Sequence, residues 1–295
     1  MGTAAVGAIA QLGTDPSSTT VTQRFEFVSE SVGKRGTIIE TGGIRGTRSH
    51  SKERTRVGPY SVGGTIVMEP SPEELAIWLP RILGTAASGT TYALAETLPT
   101  FVLVVDRVTK VFTYEGCKVA SATFGFRKGV AMSLSMNIIG TTESIGNAGT
   151  FPSLSLGTTG PFTLTDTSGA VTILSVVRPV FDFEVTIDNG AVADRHLNAT
   201  TVSQIPITDR VITLRSTHPY SSDETDLYDQ AITGGAGTIV ATYAGYSLTF
   251  AFANLQAPAE APTVGSKGEI LLSLNSIAKQ SGATKELIVT LDSSP

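Results

Sequence analysis

The sequence predicts a mainly β (α+β) fold built as two tandem β-barrel or sandwich domains, each with one flanking α-helix. Three observations lead there: a unit that occurs twice about 150 residues apart, strands with period-two alternation, and only two well-formed helix signals. Arg24-Phe-Glu-Phe27 opens the first unit and Val180-Phe-Asp-Phe183 the second. A helix start follows in each, Ser71-Pro-Glu-Glu74 and Ser221-Ser-Asp-Glu224, and each helix meets a glycine, Gly84 or Gly234. Within this block the offset is a constant 150, pairing Glu74 with Glu224, Trp78 with Tyr228 and Ile82 with Ile232. Leu134-Ser-Met-Asn137 is echoed later by Leu272-Ser-Leu-Asn275. Solenoid units are far shorter, so a repeat of this size reads as a duplicated domain.

In chain order, residues 1–23 read as an N-terminal arm and 24–140 as the first unit. Residues 141–177 read as a Gly/Ser/Thr/Pro-rich connector with a hairpin, and 178–295 as the second unit. Val130, Met132, Leu134, Met136 and Ile138 alternate with small polar residues, which gives one dry face. Phe181, Phe183, Val185 and Ile187 alternate with Asp182, Glu184, Thr186 and Asp188, one apolar face and one acidic. Tyr246, Leu248, Phe250 and Phe252 repeat the pattern, as do Ile270, Leu272 and Leu274. Such strands are antiparallel, with one face on a core and the other exposed to something polar. The acidic face, Asp182, Glu184 and Asp188, is a candidate channel lining or exposed surface.

The first helix has Ser71 as N-cap, Pro72 at the first helical position and Glu74 closing a capping box. Leu75, Trp78, Leu79, Ile82 and Leu83 form a single apolar stripe, Gly84 is a natural stop, and Pro80 predicts a kink. The second helix, about Ser222 to Ile232, is shorter, with Leu227, Tyr228, Ala231 and Ile232 as its buried side. The apolar residues of both helices are expected to face the core of their own unit.

One segment stands apart in charge. From Lys34 to Gly58 there are seven basic residues against Glu40 and Glu53, a local +5 that leaves −10 on the rest of a chain with net charge −5. Glycines at 33, 36, 42, 43, 46 and 58 make it read as a flexible basic loop. Arg45, Arg48, Lys52, Arg54 and Arg56 are the candidate contacts to acidic surface on a neighbouring subunit.

The chemistry of catalysis is missing from the residues. His50, His196 and His218 are scattered, with no metal-ligand spacing, and Asp194-Arg-His196 lacks a nucleophile context. The glycine-rich pieces lack the Lys-Ser/Thr of a phosphate loop, and the acidic pairs Glu73-Glu74 and Asp223-Glu224 complement first helical turns. No cofactor or metal is expected. Cys117, the single cysteine, lies in a strand-like run where a buried, unreactive thiol is expected. The N-terminus lacks the basic region of a secretory signal and no apolar run approaches a membrane span, so assembly in a cytoplasm is expected. The acidic balance argues against tight nucleic-acid binding.

The order of these pieces resembles a known family. A basic Gly-rich stretch precedes Val62-Gly-Gly-Thr-Ile-Val-Met-Glu-Pro-Ser-Pro-Glu-Glu-Leu75 and an apolar helix ending at Gly84, then Phe101-Val-Leu-Val-Val-Asp106 and Phe112-Thr-Tyr-Glu-Gly-Cys-Lys118. The second half continues with Phe183-Glu-Val-Thr-Ile-Asp-Asn189, Thr208-Asp-Arg-Val211, Pro219-Tyr220 and the second helix. This is similar to the tail tube (major tail) proteins of long-tailed bacteriophages, of the type with two tube domains in one chain. The resemblance implies a structural, non-enzymatic virion protein whose rings stack into a hollow conduit for genome ejection. It implies partners in further copies of itself and in the tape measure, terminator and distal tail proteins. DNA would pass the lumen unbound. Single-domain relatives build a ring from six copies, so two domains per chain imply a trimeric, pseudo-hexameric ring. A non-catalytic adhesion or carbohydrate-binding β-module is the alternative, but most aromatics lie within strand alternations and no export signal is present.

Overall fold

The computed structural model describes residues 5–147, 157–193, 198–221, 230–258, 261–262, 264 and 267–293. The first strands are β1 (Gln11–Asp15), β2 (Gln23–Phe25), β3 (Ser29–Glu30), β4 (Gly33–Glu40) and β5 (Thr55–Met68), followed by the helix α1 (Pro72–Leu83). Next come β6 (Thr91–Ala93), β7 (Phe101–Asp106), β8 (Lys110–Arg127), β9 (Ser133–Gly140) and β10 (Thr142–Asn147). The remainder holds β11 (Val171–Ile173), β12 (Val176–Val177), β13 (Asp182–Asp188) and β14 (Val211–Pro219). β15 (Gly235–Tyr243), β16 (Tyr246–Gln256), β17 (Leu271–Lys279) and β18 (Leu287–Asp292) complete the chain. The fold is mainly β, and every ladder among the described residues is antiparallel.

Two sheets share β8. Its first half lies in a small sheet of order β2–β1–β7–β8–β10. Its second half lies in a long sheet of order β4–β5–β9–β8–β13–β14–β17. That sheet passes to β16 at Asn254–Gln256, and β16 also pairs with β15 and β18. Register shifts between Val119 and Ser121, and opposite Phe101 and Leu103, lie where β8 changes sheets. Bulges of this kind bend a strand and raise its twist, which is how one strand can serve two sheets.

The two halves repeat each other in pairing as well as in sequence. In each, a hairpin (β4–β5, β13–β14) leads through a helix to three further strands (β7–β8–β9, β15–β16–β17), and the last pairs back onto the hairpin. Met68 opposes Leu134 and Thr65 opposes Asn137; His218 opposes Leu272 and Arg215 opposes Asn275. These are the residues that the 150-residue offset and the Leu134/Leu272 echo place in correspondence, so the register is the same in both halves. The halves do not close on separate cores, however. One buried apolar cluster runs from Leu12 to Leu291, with Phe124 edge-on to Phe250 and Phe126 stacked on Phe183 at 4.5 Å.

Helix α1 forms as its sequence dictates. The Ser71 hydroxyl accepts from the Glu74 N–H, the Glu74 carboxylate accepts from the Ser71 N–H, and Gly84 ends the helix at φ +92°. The helix runs through Pro80, whose carbonyl accepts the Gly84 N–H at 2.9 Å. Leu75, Trp78, Leu79 and Ile82 are fully buried. Asn189 ties the helix end to the sheets: its amide donates to the Ile82 carbonyl at 3.0 Å and to the Val119 carbonyl at 3.2 Å. Glu73 links α1 to the second half, accepting from Thr159 and Tyr246 hydroxyls.

Several expectations are corrected here. The N-terminal stretch is not an arm: β1 is held between β2 and β7, with Leu12 buried, and the Arg81 guanidinium donates to Thr14 and Gln23. The basic segment is part strand and part loop: β-branched Ile38, Ile39, Val57 and Val62 lie in the paired strands β4 and β5, while residues 41–54, with Gly42, Gly43, Gly46, Arg45, Arg48, Lys52 and Arg54, form the connection between them. Ile232 faces solvent, 64% exposed, while its neighbour Ala231 takes the inward position about 100° round the helix. Leu227 and Tyr228 lie outside the described residues; the last helical turn, 230–233, ends at Gly234 with φ +81°. The connector does contain a hairpin, β11–β12, and docks it on β15.

Cys117 is buried, and desolvation pushes its thiol pKa up to about 12. Burial likewise raises Tyr114 to about 12, with its hydroxyl donating to the Val32 carbonyl. Both groups therefore stay protonated in the folded chain while the unfolded chain ionises them earlier. Their contribution to stability is complete below about pH 9 and is lost as pH rises toward 12. The native protein should resist thiol reagents at pH 8 and react only after denaturation, and its urea midpoint should fall between pH 9 and pH 11. Rapid labelling of the folded protein would contradict this packing.

Candidate assembly surfaces

The exposed face of the long sheet is a grid of small polar side chains. One row across it reads Val67, Ser135, Thr123, Thr186, Thr213 and Ile277; the next reads Ser133, Gly125, Glu184, Arg215 and Asn275. Thr123 and Thr186 share a hydrogen bond of 3.1 Å across the junction between the halves. A concavity of about 560 Å³ opens on this face, lined by Ser61, Thr65, Ser121, Thr123, Ser135 and Asn137 among others.

Asp182, Glu184 and Asp188 all lie on this face, yet it is not the acidic surface that β13 alone suggests. Arg127 stands opposite Asp182 and 3.8 Å from Glu184, and Arg215 stands opposite Glu184. The Asp182 carboxylate accepts from Thr217, and Asp188 accepts the Gly190 N–H. Between Ser121 and Arg127 the face thus sets three carboxylates against two arginines, a net −1. The neighbours were invisible in the sequence because strands on either side supply them, Arg127 lying 57 residues before Glu184 and Arg215 31 residues after it.

The second surface is the β4–β5 hairpin. Arg45 and Arg48 lie at its tip, Lys52 and Arg54 in a 3₁₀ turn, and Arg56 at the start of β5. All five are exposed, and none is ion-paired with another described residue. Cationic and apolar groups alternate here, since Ile38, opposite Val57, is 71% exposed and Val57 82%. Uncovered β-branched side chains thus stand beside exposed cations.

Among the described residues no group of three or more His, Cys, Asp or Glu is placed to hold a metal ion. His218 is buried, its Nε2 2.8 Å from the Ser216 hydroxyl and its Nδ1 3.1 Å from the Pro179 carbonyl. His196 and Asp194 lie outside the described residues. Among the described residues no helix is long and apolar enough to cross a membrane.

A family model for phage tail tube proteins matches residues 2–278. The chain belongs to the phage tail tube protein family. No curated protein matches it. A tail tube protein is a structural component of the virion tail. The match spans both halves and the connector, so the duplicated strand order and the hairpin are parts of one tail tube chain.

Proposed function

We propose that this chain is the self-assembling subunit of a hollow tail tube: its copies close into rings, the rings stack, and the DNA genome passes through the lumen during ejection. The observation that carries this reading is the repeated strand order, joined edge to edge by the β13–β8 ladder. A module that can pair with its own duplicate in this way can continue around a ring. A closed ring also removes the free strand edges that would otherwise aggregate. Ring curvature fixes the number of domains, so if six are needed, three chains supply them.

The polar face of the long sheet lines the lumen in this reading, because its other face is taken up by the buried core. A hydroxyl-rich surface with a slight negative balance offers DNA phosphates no cationic groove, so the duplex slides without sticking. The hairpin cations Arg45, Arg48, Lys52, Arg54 and Arg56 reach acidic surface on the adjacent ring. Tape measure, terminator and distal tail proteins are the remaining partners, and assembly takes place in the host cytoplasm. Negative-stain microscopy of the purified protein tests the core of this reading. Tubes or stacked rings are expected; a protein that stays monomeric at high concentration would support the adhesion-module alternative instead.

A further inference from the structure

We infer that Asn189–Gly190 is a deamidation site that the fold holds shut, and that its conversion to aspartate or isoaspartate keeps an opened chain from regaining the native structure. It is the one place in the sequence where glycine follows asparagine. Asparagine is a thermolabile side chain, and a following glycine leaves its own backbone nitrogen unhindered, so in an open chain that nitrogen reaches the asparagine side chain readily. The reaction needs no co-reactant but water. The Gly190 nitrogen gives up its proton to base and attacks Asn189 Cγ, the Cγ–Nδ2 bond breaks, and ammonia leaves behind a cyclic succinimide. Water then opens either carbonyl of that ring. One opening gives aspartate; the other reroutes the backbone through the side chain and gives isoaspartate.

The fold requires both members of this labile pair. Asn189 directly follows β13 and is buried where β8 changes sheets. Its backbone N–H donates to the Ala120 carbonyl at 2.8 Å, and its side-chain amide donates to the Ile82 and Val119 carbonyls. One residue thus holds the end of α1, the irregular stretch of β8 and the end of β13 together. Gly190 sits at φ +58°, and a Cβ there would run into the Asp209 carbonyl oxygen, so the position admits only glycine.

In the folded chain the reacting groups are committed elsewhere. Both amide hydrogens of the Asn189 side chain serve carbonyls of α1 and β8, and the Gly190 N–H donates to Asp188 Oδ1 at 2.9 Å. The Gly190 carbonyl is held in turn by the Thr208 N–H and hydroxyl. Reaction therefore requires this joint to open, and its rate follows the open fraction. The products cannot restore the joint. A carboxylate only accepts hydrogen bonds, so the Ile82 and Val119 carbonyls would lose their donor and face a buried charge. Isoaspartate also lengthens the backbone between β13 and the turn at Gly190.

Peptide mapping by mass spectrometry tests this, with folded and urea-unfolded protein held side by side at pH 8. Asn189 in the unfolded chain should convert, faster at pH 8 than at pH 5. The folded chain should convert more slowly by about a hundredfold or more, the factor being the open fraction of the joint. After dilution from urea, chains modified at 189 should stay out of the refolded fraction, while chains held in urea at pH 5 re-enter it. The Asn189→Asp variant, made directly, should likewise lack the wild-type urea midpoint. Equal conversion of folded and unfolded chains would overturn the inference. So would modified chains, or Asn189→Asp, that show the wild-type midpoint. None of these outcomes depends on whether copies of the chain form tubes.

Discussion

Replacing Trp78 with alanine should cost the protein roughly 3–5 kcal/mol of stability, enough to leave a marginal domain largely unfolded. The residue is the hub of the α1 packing. Its ring lies 5.0 Å from Phe25 and edge-on to Phe101 at 5.7 Å, and the Arg81 guanidinium sits over it at 5.0 Å. Those partners come from β2, β7 and α1 itself, so truncation opens a cavity that three separate elements would have to collapse into. The Arg81 contact raises the cost further. That guanidinium is buried, and desolvation lowers its pKa to about 10, so it depends on Thr14, Gln23 and the aromatic faces for compensation. Trp78→Phe should cost much less, because the buried indole N–H has no hydrogen-bond partner to lose. Urea titration of the three proteins checks the order. A loss under about 1 kcal/mol for alanine would mean that α1 is not integral to the core.

Reversing Arg45, Arg48 and Arg54 to glutamate should abolish tube formation and leave the β-rich circular dichroism and the urea midpoint unchanged. Each reversal shifts the charge by −2, so the hairpin segment passes from +5 to −1. It would then face an acidic neighbour as a like charge, which suppresses docking by several kcal/mol. The fold should be spared because the three side chains are exposed and ion-paired to no described residue. Sedimentation and microscopy at low and high salt measure the outcome. Tubes formed at wild-type yield would remove the hairpin cations from the assembly mechanism.

Local chemistry was legible in the sequence and strand pairing was not. Ser71, Glu74 and Gly84 announce α1 through groups three to ten residues apart, and the geometry follows them. The alternation in β9, β13 and β16 gives the buried faces correctly, since a period of two needs no knowledge of the partner. The residues that the repeat puts in correspondence also stand in the same register, β9 on β5 and β17 on β14. Three features depend on distant segments and escaped. β1 looks like a tail because its companions, β2 and β7, lie on either side of the basic hairpin and α1 in sequence. The two strands that flank the basic loop look like more of it because the segment's glycines mask the cross-strand pair Ile38–Val57. The acidic strand looks like an acidic surface because Arg127 and Arg215 reach it only through the ladders on either side. For the same reason the β8–β13 junction, on which the assembly account turns, carries no local signature. Its pairs bring together residues between 55 and 67 positions apart.

The central claim is that one chain contributes two equivalent units to a closed ring. An image reconstruction of the assembled protein by electron cryomicroscopy tests it most directly. The expected map has three chains per ring with pseudo-six-fold internal symmetry and the Ser121–Arg127 face toward the lumen. Six chains per ring, or a lumen lined by any other face, would contradict it.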